Sequence, residues 1–405
     1  MSSYSNLLKT PGVARIISAQ LLARLPSGML SLAFLMHIER IHDSYGAAGL
    51  VLAATSIGQA VAGPLTSRWM GVWGMRPVLI LTTVVCTTAV VAIAVLDTPT
   101  PTPVWIYMVL GLVAGLANPP VQPAVRTIYP KMVTSKQLTP LFSLDASAQE
   151  IIWVLGPVIA TFLAIQINTG VGILVAAGFL VAGGLWFLSS PELGLVRIPR
   201  SKRRFGVVLG RPAVLLSTVV GFLLVAACAA IEAGVVAVYG HEGPEAGFVL
   251  AIFAIGSLVG GLSLGHVPIG PWAMARRLFI VFVGTVLAAF WMDFWWLSAT
   301  LFIAGVGIAP ALAVIFAIVS SSVKFSDTAE AYGWVGTGQL IGAALGSAAA
   351  GFTIDASGAP GAFVVASICL AVGVIIPAVF RRHSPDLRGR DVGPIADTEP
   401  VGVIT

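Results

Sequence analysis

The chain has 405 residues, 57% of them hydrophobic and only 10% charged, with a mean hydropathy of +0.96. Such a composition excludes a water-soluble globular protein of this length and points to a polytopic membrane protein. The net charge of +5 does not point to nucleic acid, because the Lys and Arg fall in short segments between apolar stretches and not on a soluble domain.

Twelve apolar stretches follow one another: Val13–Met36, Ala47–Thr66, Val78–Leu96, Val104–Val125, Leu141–Ile165, Val171–Leu188, Ala213–Val238, Ala246–Gly265, Leu278–Met292, Trp296–Val319, Tyr332–Ile354 and Gly361–Phe380. Stretches near 20 residues cross a ~30 Å hydrocarbon core as helices, and in lipid every backbone amide must be bonded within its own segment. The expected fold is therefore all-α and integral to the membrane, with twelve transmembrane helices. The first stretch is no signal peptide: it is too long, carries Arg24 at its middle and lacks a small-residue cleavage site.

With the N-terminus inside, 20 of the 22 Lys and Arg fall in cytoplasmic segments, Arg197, Lys202 and Arg390 among them. Only Arg40 falls outside, and Arg24 lies within a span. This asymmetry places both termini in the cytoplasm. Trp291, Trp295 and Trp296, crowded around Asp293, read as an outer-face aromatic anchor. Cys86, Cys228 and Cys369 all lie within spans, suggesting neither a disulfide framework nor a metal site. The five His are scattered, His241 in an outer loop, without ligand spacing. No metal and no cofactor is expected.

The longest polar interruption, Pro191–Pro212, separates six spans from six. The halves echo each other. At an offset of 198, Gly49, Ala53, Ile57, Gly58, Val61 and Gly63 match Gly247, Ala251, Ile255, Gly256, Val259 and Gly261. At an offset of 190, Gly115 and Pro120 match Gly305 and Pro310, and Gln149, Ile151, Leu155, Gly156, Ala160 and Phe162 match Gln339, Ile341, Leu345, Gly346, Ala350 and Phe352. Matches in this order argue for a parallel six-helix repeat. The expected organisation is an N-terminal bundle over residues 1–190, a basic cytoplasmic linker over 191–212, a C-terminal bundle over 213–381 and a disordered cytoplasmic tail over 382–405.

On this plan and on the loop Gly63-Pro64-Leu65-Thr66-Ser67-Arg68-Trp69-Met70-Gly71-Val72-Trp73-Gly74-Met75-Arg76-Pro77, the chain resembles the major facilitator superfamily of transporters. The loop is similar to the family's Gly-x-Leu…Asp-Arg-x-Gly-x-Arg pattern, with Gly63, Leu65, Gly74 and Arg76 in place. The acidic residue is missing, Gly71 or Ser67 standing there. Gly156-Pro157 resembles the core of the family's antiporter motif, and the runs Asp145–Glu150 and Ala329–Trp334 resemble actinobacterial efflux-type members. The resemblance implies two six-helix bundles related by a pseudo-two-fold axis, spans 3, 6, 9 and 12 facing lipid, alternating access, and a monomer in the bacterial cell membrane.

The charges agree with that arrangement. Spans 3, 6, 9 and 12 carry no Asp, Glu, Lys, Arg or His in their interiors, whereas Arg24, Asp145, Glu150 and Glu232 lie in spans 1, 5 and 7. A charge at mid-bilayer costs ~2.5–3.5 kcal/mol even on the lowest scales, so it faces a partner or water. Helical rise puts Arg24 about 14 Å and Glu150 about 15 Å into their spans, and Glu232 about 28 Å along its own, nearer the outer face. Arg24 and Glu150 are thus candidates for a mid-membrane pair, either rearranged during transport or a static lock between spans 1 and 5. Glu232 is a proton or substrate site, or a hydrogen-bonded residue at the outer mouth. Asp145 reads as an inner-gate or interface residue, or as part of the cavity lining, and Asp327 with Glu330 as an N-terminal cap arrangement or a gate.

Gln59, Asn118, Gln122, Gln149 and Gln339 complete the candidate lining, though such groups also join helices. Pro119, Pro120 and Pro310 break the backbone ladder and suit gating helices, and Gly338, Gly342 and Gly346 form a small-residue packing face. With no phosphate loop, the expected energy source is an ion gradient or the substrate's own. The reading is a secondary transporter, not an enzyme, that exports a small organic molecule against protons. A sugar or nutrient importer or facilitator, and a non-transporting membrane sensor, share the same plan.

Overall fold

The computed structural model describes residues 2–96, 102–195, 198–201, 203–239, 245–389 and 392–397. Arg197, Lys202, His241 and Arg390, used in the charge and histidine readings, lie outside the described residues. In chain order the helices are α1 Ser2–Lys9, α2 Val13–His42, α3 Tyr45–Trp73, α4 Met75–Val95, α5 Val104–Leu116, α6 Val121–Met132, α7 Ser135–Gln166, α8 Thr169–Ser189, α9 Pro191–Leu195, α10 Pro212–Tyr239, α11 Glu245–Leu264, α12 Ala273–Ala288, α13 Phe294–Ser322, α14 Phe325–Ser357 and α15 Ala359–Val379.

Local chemistry sets the ends. Ser44, Asn168 and Asp293 accept from the free amides that open α3, α8 and α13, each cap contributing about 0.5–2 kcal/mol. Gly74, at φ 93°, turns the chain from α3 into α4 in a region that L side chains rarely adopt.

Eleven stretches of the described chain are long and apolar enough to cross a membrane, α5 and α6 counting as one continuous stretch, Val104–Met132. The twelfth, α12, has 16 residues. Several expected span ends shift, α2 and α3 running on to His42 and Trp73 and α7 and α14 starting at Ser135 and Phe325, and two spans need further correction. The fourth span is not one helix: it breaks over Ala117–Pro120, because Pro119 and Pro120 have no N–H to give to the ladder, and resumes as α6. The ninth starts five residues earlier than Leu278, at Ala273. It thereby takes in the buried Arg277, whose guanidinium donates to the Pro310 carbonyl at 2.7 Å and the Val267 carbonyl at 3.1 Å.

The tail is also corrected, since part of it docks. Leu387 donates its amide to the Ile269 carbonyl, and Ile395 pairs in parallel with Lys324, exchanging backbone bonds with Val323 and Phe325. Asp397 accepts from the Ser326 amide at 3.0 Å and hydroxyl at 2.9 Å, at the start of α14. Burial of Leu387 and Val392 accompanies these bonds, which outweigh the polar composition that suggested disorder.

The helices before the linker pack on one another, α2 against α8 and α7 and α3 against α5, and those after it do likewise, α10 against α14 and α11 against α13. The two groups meet through α3 with α14 and α7 with α11 and α13. The meeting points obey the sequence repeat. Thr337 of α14 donates to the Ala60 carbonyl of α3 at 2.7 Å, and Ser143 of α7, repeat mate of Gly333, donates to the carbonyl of Gly261 of α11, repeat mate of Gly63, at 2.7 Å. Gly63 and Gly333 bring α3 and α14 to backbone contact, where a Cβ on Gly63 would sit 3.2 Å from the Gly333 carbonyl oxygen. On the axis between them, Phe142, Phe316 and Tyr332 form a buried aromatic plug with ring centroids 6.3–6.4 Å apart. These contacts close the molecule on the face that carries the linker.

Candidate functional site

Three helices build a polar hub just above that plug. Gln20 and Arg24 share a face of α2, Asp145 and Gln149 a face of α7, each four residues apart, while α6 supplies Gln122, Arg126 and Tyr129. Asp145, with no exposed surface, accepts from Arg126 Nε at 2.8 Å, Gln20 Nε2 at 2.9 Å, Tyr129 Oη at 3.2 Å and Arg24 Nη1 at 3.4 Å. Gln149 Oε1 accepts from Arg24 Nη2 at 2.6 Å, Gln122 Nε2 at 3.0 Å and Arg126 Nη2 at 3.4 Å. Turning the Gln122 amide lets its oxygen face both guanidinium groups, 2.7 Å from Arg126 and 3.2 Å from Arg24. The Arg126 guanidinium also stacks on Phe316 of α13, 3.4 Å from the ring centroid, so the hub touches the other half.

A buried carboxylate is tolerable only when its lone pairs are filled, and those of Asp145 are. The formal charge does not cancel, however: two guanidinium groups face one carboxylate. Part of the expectation is corrected here. Arg24 pairs with Asp145 and Gln149, not with Glu150. Rise along the helix placed Arg24 and Glu150 at one depth, but successive residues point about 100° apart on a 3.6-residue helix. Gln149 faces α2, and Glu150 turns toward α11 of the C-terminal half, beside Ser257, while Glu232 lies on α10. Glu232 is exposed and Glu150 half-buried. Neither has a cation partner among the described residues.

The remaining candidates divide. Gln59 is half-buried on α3, and Asn118 is exposed in the break between α5 and α6. Gln339 is buried and packs toward Gly221 of α10. Gly156 is a packing residue: a Cβ there would meet the backbone of Gly28 of α2, and Pro157 follows it within α7. Gly338, Gly342 and Gly346 likewise press α14 onto α10 at Thr218, Phe222 and Ala226.

Sequence reasoning missed Arg126, counted as a loop charge, along with Gln20 and Tyr129. The break at Pro119-Pro120 resets α6, so that Arg126 lies inside the bundle, 2% exposed. One signal for it was present, since the 190-residue offset sets Arg126 opposite Phe316, deep within the tenth span.

On the linker face, Arg68 donates to Glu330 of α14 at 2.8 Å and to the Arg203 carbonyl, and stacks on Phe205. Glu330 also accepts from the Gly206 amide at 2.8 Å, and Asp327 from the Ser201 hydroxyl at 2.6 Å. Asp327 and Glu330 thus serve a latch between both halves and the linker, more than a helix cap. The acid missing from the Gly63–Pro77 motif, most of which lies within α3, is supplied from α14. Arg76 lies beside Gly194 of α9, outside that latch.

The family model described as Major Facilitator Superfamily matches residues 16–292 and 235–401. The chain belongs to this superfamily of multi-pass membrane transporters. No curated protein matches it. Among solved structures, the human organic anion transporter MFSD10 (TETRAN) aligns at TM-score 0.68 and 16% identity, over 91% of this chain and 100% of that one. A bacterial homologue of the iron transporter ferroportin in an outward-facing state aligns at TM-score 0.69 and 13% identity, over 91% and 98%. FucP in the outward conformation aligns at TM-score 0.67 and 15% identity, over 91% and 98%. At these identities the likeness is one of fold.

Proposed function

We propose that this protein is a proton-coupled secondary transporter that exports a small organic molecule by alternating access. It works as a monomer in a bacterial cytoplasmic membrane with both termini inside. The two rocking bodies are residues 1–190 and 213–381, joined by the linker 191–212, and the latched linker face is the cytoplasmic gate. The observation that carries the proposal is the pair Glu150 and Glu232: one carboxylate on a membrane-spanning helix of each half, the first half-buried and the second exposed, each without a cation partner among the described residues. Carboxyl groups so placed can load and release a proton as the halves rock. The positive-inside charge pattern supports the orientation, and the efflux-type resemblance of the Asp145–Glu150 and Ala329–Trp334 runs supports export.

Proteoliposomes with an imposed pH gradient, a panel of drugs and sugars and an internal pH dye test the reading. Glu150→Gln or Glu232→Gln abolishes gradient-driven accumulation and spares exchange of substrate down its own gradient. Uphill transport with an unchanged pH dependence in both amide variants overturns it.

A further inference from the structure

Resting on the alternating-access reading, we infer that the C-terminal tail is a strap that holds the linker face closed and detaches when that face opens. The strap docks at the junction of α13 and α14. Val323 and Lys324 are extended there, because they lie between two helices and belong to neither. A helix leaves its first amides without intrahelical acceptors, so the junction offers a short row of backbone groups to a passing chain.

The tail fills that row. Ile395 donates to the Val323 carbonyl at 2.9 Å and accepts from the Phe325 amide at 3.1 Å. Asp397 takes the next amide, that of Ser326, at 3.0 Å and the Ser326 hydroxyl at 2.9 Å. A carboxylate in that position also meets the positive end of α14. Upstream, the Leu387 amide anchors the tail to the Ile269 carbonyl, between α11 and α12, and Val392 is buried.

The residues that receive the tail are also gripped by the N-terminal half and the linker. Phe325, whose amide the tail holds, has the Lys131 ammonium of α6 4.8 Å from its ring centroid. Asp327, next to Ser326, accepts from Ser201 of the linker at 2.6 Å. Glu330, one turn on, accepts from Arg68 of α3 at 2.8 Å. Tail, linker, α3 and α6 therefore converge on the first turns of α14. Opening the linker face withdraws α3 and α6. The start of α14 then loses partners that fix it, and a tail that needs Phe325 and Ser326 in register binds more weakly. Linkage makes the effect mutual: the factor by which opening weakens tail binding is the factor by which tail binding favours closure. With an N-terminal cap as the scale, that factor is about 2- to 30-fold.

The test uses the full-length protein in detergent, its native cysteines replaced, and two spin-label readouts. One is the distance between labels at Lys136 and His266, exposed residues in different halves. The other is the mobility of a single label introduced by Ile395→Cys, at a side chain 47% exposed. Deleting residues 392–405 lengthens the distance, and so does Ile395→Pro, which removes the amide given to Val323. Conversely, Gly333→Ala and Glu330→Gln, which weaken the closed face directly, turn the label at position 395 from immobile to mobile. A tail that merely braces the C-terminal half stays immobile in those two variants, and that result overturns the inference. An unchanged distance in either tail variant overturns it as well. The proteoliposome assay keeps the two readings apart. A tail-dependent distance without proton coupling sinks the transport proposal alone, and proton coupling with a tail-independent distance sinks this one.

Discussion

Replacing Gly333 by Ala puts one methyl group into the place where the halves touch. The added Cβ would lie 2.7 Å from the Gly63 carbonyl oxygen, 2.9 Å from Pro64 Cα and 2.9 Å from Ser67 Oγ. Two of these are backbone atoms, so α3 and α14 must separate there. Overpacking of this kind costs about 1–3 kcal/mol. On the alternating-access proposal this contact is confined to the state closed on the linker face, so the cost falls on that state and the closed-to-open ratio drops about 5- to 150-fold. The assay is the distance distribution between spin labels at Lys136 and His266, both exposed, in protein whose three native cysteines are replaced. Gly333→Ala moves the distribution toward longer distances. Gly336→Ala, three residues on and with nothing within 4 Å of its Cβ, leaves it in place. Equal distributions for Gly333→Ala and wild type, or an equal shift with Gly336→Ala, would refute the crossing as the determinant of closure.

Double-mutant cycles on detergent-solubilised protein should give an Arg24/Asp145 coupling of about 0.5–3 kcal/mol, whereas Arg24 and Glu150 add within about 0.5 kcal/mol; the reverse pattern contradicts the hub. Glu330→Gln strips the latch of its charge and lowers stability by about 1–3 kcal/mol, and the same spin-label pair should widen. An unchanged melting point together with an unchanged distance would dismiss the latch. Asp397→Ala removes the acceptor of the Ser326 amide at the start of α14, with an expected loss of about 0.5–2 kcal/mol. Full stability in this variant would mean that the docked tail does not contribute. Cysteines at Lys136 and Gln166, near opposite ends of α7, should label from opposite sides of sealed vesicles, and labelling from one side would contradict a span there.

Most of the architecture was legible because lipid leaves the chain few choices. Apolar runs of the right length must be helices there, and the offsets of 190 and 198 residues preserved the symmetry well enough that the two crossings could be paired by arithmetic. The placement of Arg24, Asp145, Glu150 and Glu232 within spans was read from the sequence alone, but burial was not: Arg126, Arg277, Asp327 and Glu330 are buried as well, and Glu232 is exposed. What composition could not supply was direction. Counting rise gives depth and leaves the azimuth of a side chain to the way the helix is rotated by packing, which is why Arg24 found Asp145 and Gln149 while Glu150, one position further, turned to the other half. Arg126 entered the site because two prolines broke a helix and moved a loop charge inward. Glu330 came to replace an absent acid because α14 lies against α3, a proximity of residues 262 apart. Local sequence determines which segments cross and how they end. Only the packing of those segments decides which polar groups meet, because each such meeting joins residues with no sequence relation to one another.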